Sequence, residues 1–534
     1  MHKPNVSRCA VLDAGSAPGS SGAQRARVEA PGSADAHEPH FTTGHLLKDL
    51  RGHTISSGFV TMVAQGGLFI LNLASTMVLA RLLVPQDFGL VAMVTTVMGF
   101  FRIFKDAGLS TATVQREGIT HAQVSNLFWI NLALSGFISL SVAACAPVIA
   151  WFYREPRLIG ITGAMAISFL LAGSTVQHLA LLTRQMRFKS IAIIQLASMA
   201  AGVAVAIAMA WLKCGYWSLV WSNLATAVLS CVLTWSASGW RPQRPTRRCG
   251  TRPLLSFGAN LATAGFIWSL ARGSDGLLIG RFCGPGAVGL YSRAAALLMR
   301  PLEQFITPIE SVFVPTLSRL QTQPERYRRT FLQVYQGIAL TAFLFTGMFL
   351  ALARPLTLVV LGPKWDKAAM IFAAFTICAL FHPLSYAATW LFASQGRGRD
   401  WLVSSLIVSG LTVASFIVGL PFGPAGVAIS YSVSGVLIQM PVLFYIAGRR
   451  GPVAASDLWA GFWRFVPLWC IVGGATWLAR GLVRESASLA QVVICAPVGL
   501  LAGAVFIWIY SPARQVAVTI LDALRDWRKT RNRL

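Results

Sequence analysis

Runs of roughly 18–25 apolar residues recur from about Ser56 to about Tyr510, each long enough to carry a helix across a hydrocarbon core of about 30 Å. A membrane barrel would show segments of about 10 residues with alternating polarity, and that pattern is missing. Charged residues make up 12% of the 534-residue chain and hydrophobic ones 55%. The charged share is about half that of soluble domains. The expectation is an all-α polytopic membrane protein. Apolar runs read against breakers place about fourteen helices. They lie near 56–80, 88–108, 122–150, 158–182, 190–212, 216–239, 254–280, 288–315, 331–360, 368–393, 401–420, 424–447, 460–482 and 488–510.

Two stretches repeat one another. ARLLVPQDFGLV at 80–91 and GRFCGPGAVGLY at 280–291 share Arg, Pro, Gly and Leu at four matching places, each ending one helix and opening the next. A second echo pairs Gln185 and Arg187 in TRQMRFKSIAII with Gln395 and Arg397 in ASQGRGRDWLVS, both just before a fifth helix of their group. The expected organisation is a tail at 1–54, a six-helix lobe at 55–240, a basic linker at 241–253, a homologous six-helix lobe at 254–450, two further helices at 451–512 and a basic tail at 513–534. An even helix count leaves both lobes facing the same way, as parallel transporter repeats do.

The net charge is +26, from 45 Lys+Arg against 19 Asp+Glu. The basic residues fall in clusters between apolar runs: Arg241, Arg244, Arg247, Arg248 and Arg252; Arg326, Arg328 and Arg329; Arg449 and Arg450; and Arg525, Arg528, Lys529, Arg531 and Arg533. That distribution follows the positive-inside rule and puts both termini in the cytoplasm. It does not suit a nucleic-acid partner, which calls for a basic face on one domain. The nine cysteines show no ligand spacing, so neither a metal site nor a disulfide framework is expected. Residues 1–45 lack the apolar core of a signal peptide and read as a disordered cytoplasmic tail or a start codon placed too early. No loop exceeds about 20 residues, which leaves no room for an extramembrane catalytic domain. Two lobes that rock around a central site point to transport instead.

An ionisable side chain at mid-membrane costs about 2.5–3.5 kcal/mol on insertion scales and marks a candidate site. In the seventh helix Arg272 and Asp275 are three apart, on one face. Arg272 lies roughly 13 Å from the helix end. The two either close a structural pair within one lobe or line a cavity. In the eighth, Arg293 and Arg300 are seven apart, and Glu303, Thr307 and Glu310 continue nearly the same stripe. Prolines at 301, 308 and 315 favour kinks, which are tolerated where a helix lines a cavity or interface. Arg293 can snorkel; Arg300, about 18 Å from the helix start, has a poor escape. Arg102, Lys105 and Asp106 share a face at the end of the second helix, as snorkelling anchors or an inner gate. Asn72 and the pair Gln177–His178 are intramembrane polar groups, more often interhelical bonds than ligand contacts. Trp151, Phe152, Tyr153, Trp365 and Trp401 read as interfacial belt aromatics. Arginines in a water-accessible cavity favour an anion, because guanidinium forks match phosphate oxygens.

ARLLVPQDFGLVAM, FFRIFKDAGLSTATVQRE, LLIGRFCGPGAVGLYSRAAALL and PLEQFITPIESVFVPTLSRL together resemble the Wzx-type polysaccharide flippases of the multidrug/oligosaccharidyl-lipid/polysaccharide exporter superfamily, over roughly residues 55–510. The resemblance implies a MATE/MOP-like fold, two lobes around a cationic cavity plus accessory helices. It further implies a non-enzymatic flippase that carries undecaprenyl-pyrophosphate-linked oligosaccharide across the bacterial inner membrane for exopolysaccharide, capsule or O-antigen assembly. Coupling to H+ or Na+ belongs to the same expectation, with no cofactor. Membrane lipids and polymerase or export machinery are the expected partners. Arg272, Asp275, Arg293 and Arg300 carry over as cavity positions, with Glu303 beside them. Arg102, Asp106, Asn72 and His178 stand as gate or secondary positions. Where relatives are expected to show asparagines near the aspartate, this chain has Gly273 and Gly276, which puts a fixed cargo contact at Asp275 in doubt. A drug or metabolite antiporter on the same fold, a glycan polymerase or glycosyltransferase, and a scaffold subunit are the competing readings.

Overall fold

The computed structural model describes residues 50–102, 110, 113–114, 119–245, 252–519 and 522, apart from the side chains of 50–59, 252–272, 300, 303–305 and 308. Among the described residues the regular elements are all helices. Ten stretches are long and apolar enough to cross a membrane, and two of them, Gly398–Gly448 and Ala455–Leu482, hold more than one helix. The chain is an all-helical, multi-pass membrane protein.

The two repeated stretches make two versions of one junction. In the first half Leu50–Leu82 ends and Pro85–Arg102 begins. Pro85 opens the second helix, where its missing N–H is no loss. Asp87 reaches back to accept the Val84 N–H at 3.3 Å, as an acidic residue in the first turn does in a capping box. In the second half the helices expected near 254–280 and 288–315 form one run, Arg252–Arg319, broken at Gly284 (φ 82, ψ 177). Glycine is at home there because a side chain would clash at positive φ. Pro285 follows it as Pro85 follows Val84.

Other local features recur at matched places. His121–Ala144 gives way to the eight-residue helix Ala146–Tyr153, and Pro324–Ala351 to the eight-residue Ala353–Val360. Pro147 and Pro355 sit in the first turns, where proline is tolerated. Met186 (φ 53) and Gly396 (φ 68) are both left-handed, closing Leu158–Arg184 and Ala368–Ser394 respectively. The next residue in each case caps a distant helix. Arg187 donates to the Ala237 carbonyl at 2.9 Å and Arg397 to the Ala447 carbonyl at 2.8 Å. These carbonyls lie at the ends of Trp217–Ser238 and Met440–Gly448, where unsatisfied C=O groups favour a cation.

Ala368–Ser394 is the most enclosed of the ten membrane stretches. It packs against Arg252–Arg319 and Pro324–Ala351. Val466–Leu482 lies on Pro324–Ala351, close enough that a β-carbon on Gly347 would come 2.8 Å from the Trp469 carbonyl oxygen.

One expectation needs correction. Trp365 is fully buried and Tyr153 only 3% exposed, so neither is a belt residue; Trp151, at 78% exposed, fits that reading. The Trp365 indole donates to the Ala80 carbonyl at 2.8 Å, which satisfies the N–H that burial would otherwise orphan. Arg328 and Arg449, in two of the basic clusters, bind Asp457 and Asp400. The start of the linker lies against the first half. Trp129 donates to the Gln243 carbonyl at 2.8 Å, the Gln243 N–H goes to the Ser125 hydroxyl at 3.0 Å, and Trp240 is 2% exposed.

Candidate functional site

The two halves meet most extensively along Pro85–Arg102 and Arg252–Arg319. At the end of the bundle distant from Leu50 the contact is reciprocal. A β-carbon on Gly89 would strike the Pro285 carbonyl, and one on Gly289 would strike the Pro85 carbonyl. Each residue contacts the counterpart of its own partner, the mark of a two-fold contact. Phe88 completes the seam by packing between two groups of the other half: the Trp365 ring, edge-on at 5.3 Å, and the Arg293 guanidinium, 4.7 Å from the ring centre. A cation over an aromatic face is attracted by the ring quadrupole. Arg81 and Lys364 tie the rim, donating to the carbonyls of Val359 (2.7 Å) and Arg81 (3.1 Å).

Deeper in the bundle, Gly273, Gly276 and Gly280 form one face of the Arg252–Arg319 run, at spacings of three and four. A β-carbon on Gly273 would lie 3.0 Å from the Phe100 ring, one on Gly276 2.7 Å from the Thr96 hydroxyl, and one on Gly280 inside the Tyr153 ring. These glycines are seats for the first half's side chains. That accounts for the missing asparagines: polar side chains there would push the halves apart.

Asp275 is half-buried beside this face, its Oδ1 accepting the Gly276 N–H at 2.6 Å. The buried hydroxyl of Tyr291 faces it from the same half and Tyr153 from the other. Asp275 therefore sits where the halves meet. Arg293 stands at the same seam and does not snorkel away. The side chains of Arg272, Arg300 and Glu303, and all of Asp106, lie outside the described residues.

The secondary positions divide. Arg102 and Asn72 are exposed on their helices. His178 is fully buried, stacked on Trp235 at 4.4 Å and edge-on to Trp240 (5.1 Å) and Phe128 (5.8 Å). Its neighbour Gln177 accepts from the Thr113 hydroxyl at 2.8 Å, and Arg184 donates to the Thr113 carbonyl at 3.0 Å. These bonds fasten Thr113 to Leu158–Arg184.

Two constellations escaped the sequence reading. Asp400 is held by Arg397 (2.9 Å) and Arg449 (2.7 Å); its one sequence signal was the Gln–x–Arg echo that singled out Arg397. Glu310 accepts from the Tyr386 hydroxyl at 2.9 Å. Tyr386 carried no signal, being a polar-tipped aromatic in an apolar run.

Comparison with known proteins places these features in context. A family model described as "Polysaccharide biosynthesis protein" matches residues 78–370, and one for the lipid II flippase MurJ matches 261–496. The teichuronic acid biosynthesis protein TuaB of Bacillus subtilis is 25% identical over 353 residues, 65% of this chain and 73% of its own length. The lipopolysaccharide biosynthesis protein WzxC of Escherichia coli is 21% identical over 432 residues, 78% of this chain and 86% of its own. Among solved structures, lipid II flippase MurJ in an inward closed conformation superposes with a TM-score of 0.62 at 14% identity, covering 85% of this chain and 99% of that one. This last likeness is one of fold.

Proposed function

The chain belongs to the polysaccharide biosynthesis protein family, and on that premise we propose that it flips an undecaprenyl-pyrophosphate-linked oligosaccharide from the cytoplasmic to the outer leaflet of the bacterial inner membrane. It is a transporter and not an enzyme. The observation that carries the reading is the reciprocal seam at Gly89 and Gly289. Two repeats that meet reciprocally at one end of the bundle can part there, which is what alternating access between two lobes requires.

In this reading the lobes are residues 55–240 and 254–450, the helices of 451–512 are accessory, and both termini are cytoplasmic. The seam then closes the outer side. Arg272 and Arg300 lie nearer the cytoplasm, where they meet the pyrophosphate as bidentate donors. Arg293 and Asp275, at the seam, release or capture cargo as the halves part. A gradient of H+ or Na+ supplies the drive, and a polymerase or export apparatus takes the product. The relatives' names range from teichuronic acid to lipopolysaccharide, so the sugar is set by the cavity and not by the family.

The test is the leaflet distribution of undecaprenyl-linked oligosaccharide in cells with and without the protein. Accumulation on the cytoplasmic side with loss of surface polysaccharide is the expected result. Unchanged distribution and polymer, in cells lacking paralogues, would sink the reading in favour of a small exported solute.

A further inference from the structure

On the Arg252–Arg319 run, Ile306, Phe313 and Leu317 are buried at spacings of seven and four. They mark a stripe that faces Ala368–Ser394, where Phe313 meets Trp390 edge-on at 5.7 Å. Glu310 falls on that stripe, four residues after Ile306 and three before Phe313, on the same helical face. The pattern asks for an apolar side chain there, and the chain spends a carboxylate. Its Oε2 accepts from the Tyr386 hydroxyl at 2.9 Å. One turn before Tyr386, His382 stacks nearly parallel to its ring, at 6.4 Å and 18°, and Pro383 lies inside the same helix. A carboxylate, a phenol and an imidazole thus line up between two helices of one half.

An apolar pair would join the helices without desolvating a carboxylate. Ionisable groups persist at membrane depth where function needs them. Among the described groups on the packed elements, Asp400 is held by Arg397 and Arg449, Tyr327 bonds to Ser394 and Tyr335 to the Leu458 carbonyl, while Arg319, Glu325, Arg326 and Arg329 lie at the helix ends. Tyr431 and Cys378 face Tyr291. On its own helix Glu310 is followed by Ser311 and preceded, one turn away, by the exposed Thr307.

We propose that Glu310 is the proton-binding carboxylate that couples flipping to the transmembrane proton gradient, with the Tyr386 hydroxyl as its hydrogen-bond partner; this rests on the flippase reading. Ionised, Glu310 accepts from Tyr386 and joins the two helices. Protonated, it becomes a donor, and the Tyr386 bond must reverse or break. The packing of the arginine-bearing helix on Ala368–Ser394 then depends on one proton, taken up from the outer side and released to the cytoplasm.

The test uses the purified full-length protein in liposomes, with an undecaprenyl-pyrophosphate-linked fluorescent disaccharide as probe. An imposed pH gradient, acid on the outer side, should speed flipping by the unaltered protein severalfold. Glu310→Gln keeps an acceptor for Tyr386 but cannot titrate, so its rate should be the same with and without the gradient. Tyr386→Phe, which removes the donor but keeps the carboxylate, should still respond, more slowly. A Glu310→Gln protein that responds as the unaltered one does, or a Tyr386→Phe protein that responds at the unaltered rate, would overturn the assignment. Flipping driven by sodium alone would also overturn it and leave the flippase reading standing. No movement of the probe under either gradient would overturn both.

Discussion

Gly89 of one half and Gly289 of the other face each other so closely that a β-carbon on either would collide with a proline carbonyl of the opposite half. The contact is backbone on backbone, with no side chain at its centre to yield. Its fit depends on the absence of two methyl groups.

Gly89→Ala should therefore loosen the seam between Pro85–Arg102 and Arg252–Arg319. Cys283, part-buried beside Gly284, should react faster with a membrane-impermeant maleimide in Gly89→Ala cells. A Cys283→Ser control removes the signal from other thiols. Equal labelling in the two proteins would show that the seam opens as readily with the methyl group in place.

The seats beneath the seam make a pairwise prediction. Gly276→Ala places a methyl 2.7 Å from the Thr96 hydroxyl, and overpacking of this kind costs about 1–3 kcal/mol. Its melting temperature in detergent should fall, and adding Thr96→Ala should restore most of the loss. Neighbours that share one space are non-additive. Additive losses would mean that the two residues do not share a contact.

Trp365 is fully enclosed and bonded to Ala80. Trp365→Phe should cost about 1 kcal/mol for the unmet carbonyl, and Trp365→Ala about 3–5 kcal/mol for the cavity. Denaturation of purified protein gives the order Ala worse than Phe. A belt residue would show neither effect.

On the proposed function, Arg300→Ala should lower surface polysaccharide sharply at unchanged abundance in the membrane. Arg300→Lys keeps the charge but loses the planar fork, and should recover only a small part of the activity. Polysaccharide and chain abundance measured on the same cells decide it; normal polymer with Arg300→Ala removes the main support for a cationic cavity.

The broad architecture was legible because membrane helices are written in apolar runs, and no later contact can hide a run of twenty. The echo of Pro85 with Gly89 in Pro285 with Gly289 was legible too, though the sequence could not say that these stretches touch. The Arg187 and Arg397 echo becomes intelligible once each is seen capping a helix fifty residues on. What failed was partner identity. Trp365 and Trp151 look alike in sequence, since an aromatic near a helix end serves a core or a headgroup layer equally well. Gly273 and Gly276 read as losses of polar contact, whereas the other half uses the space they leave. Tyr386 lies 76 residues from Glu310, beyond any local pattern.

The linker sets a limit on motion. With Gln243 fastened to Trp129 and Ser125, only the nine steps to Arg252, where the next helix begins, are left to span the halves. Nine residues drawn straight reach about 30 Å. That leash sets the longest stride one half can take from the other at the linker end, and any cargo entering there has to pass within it.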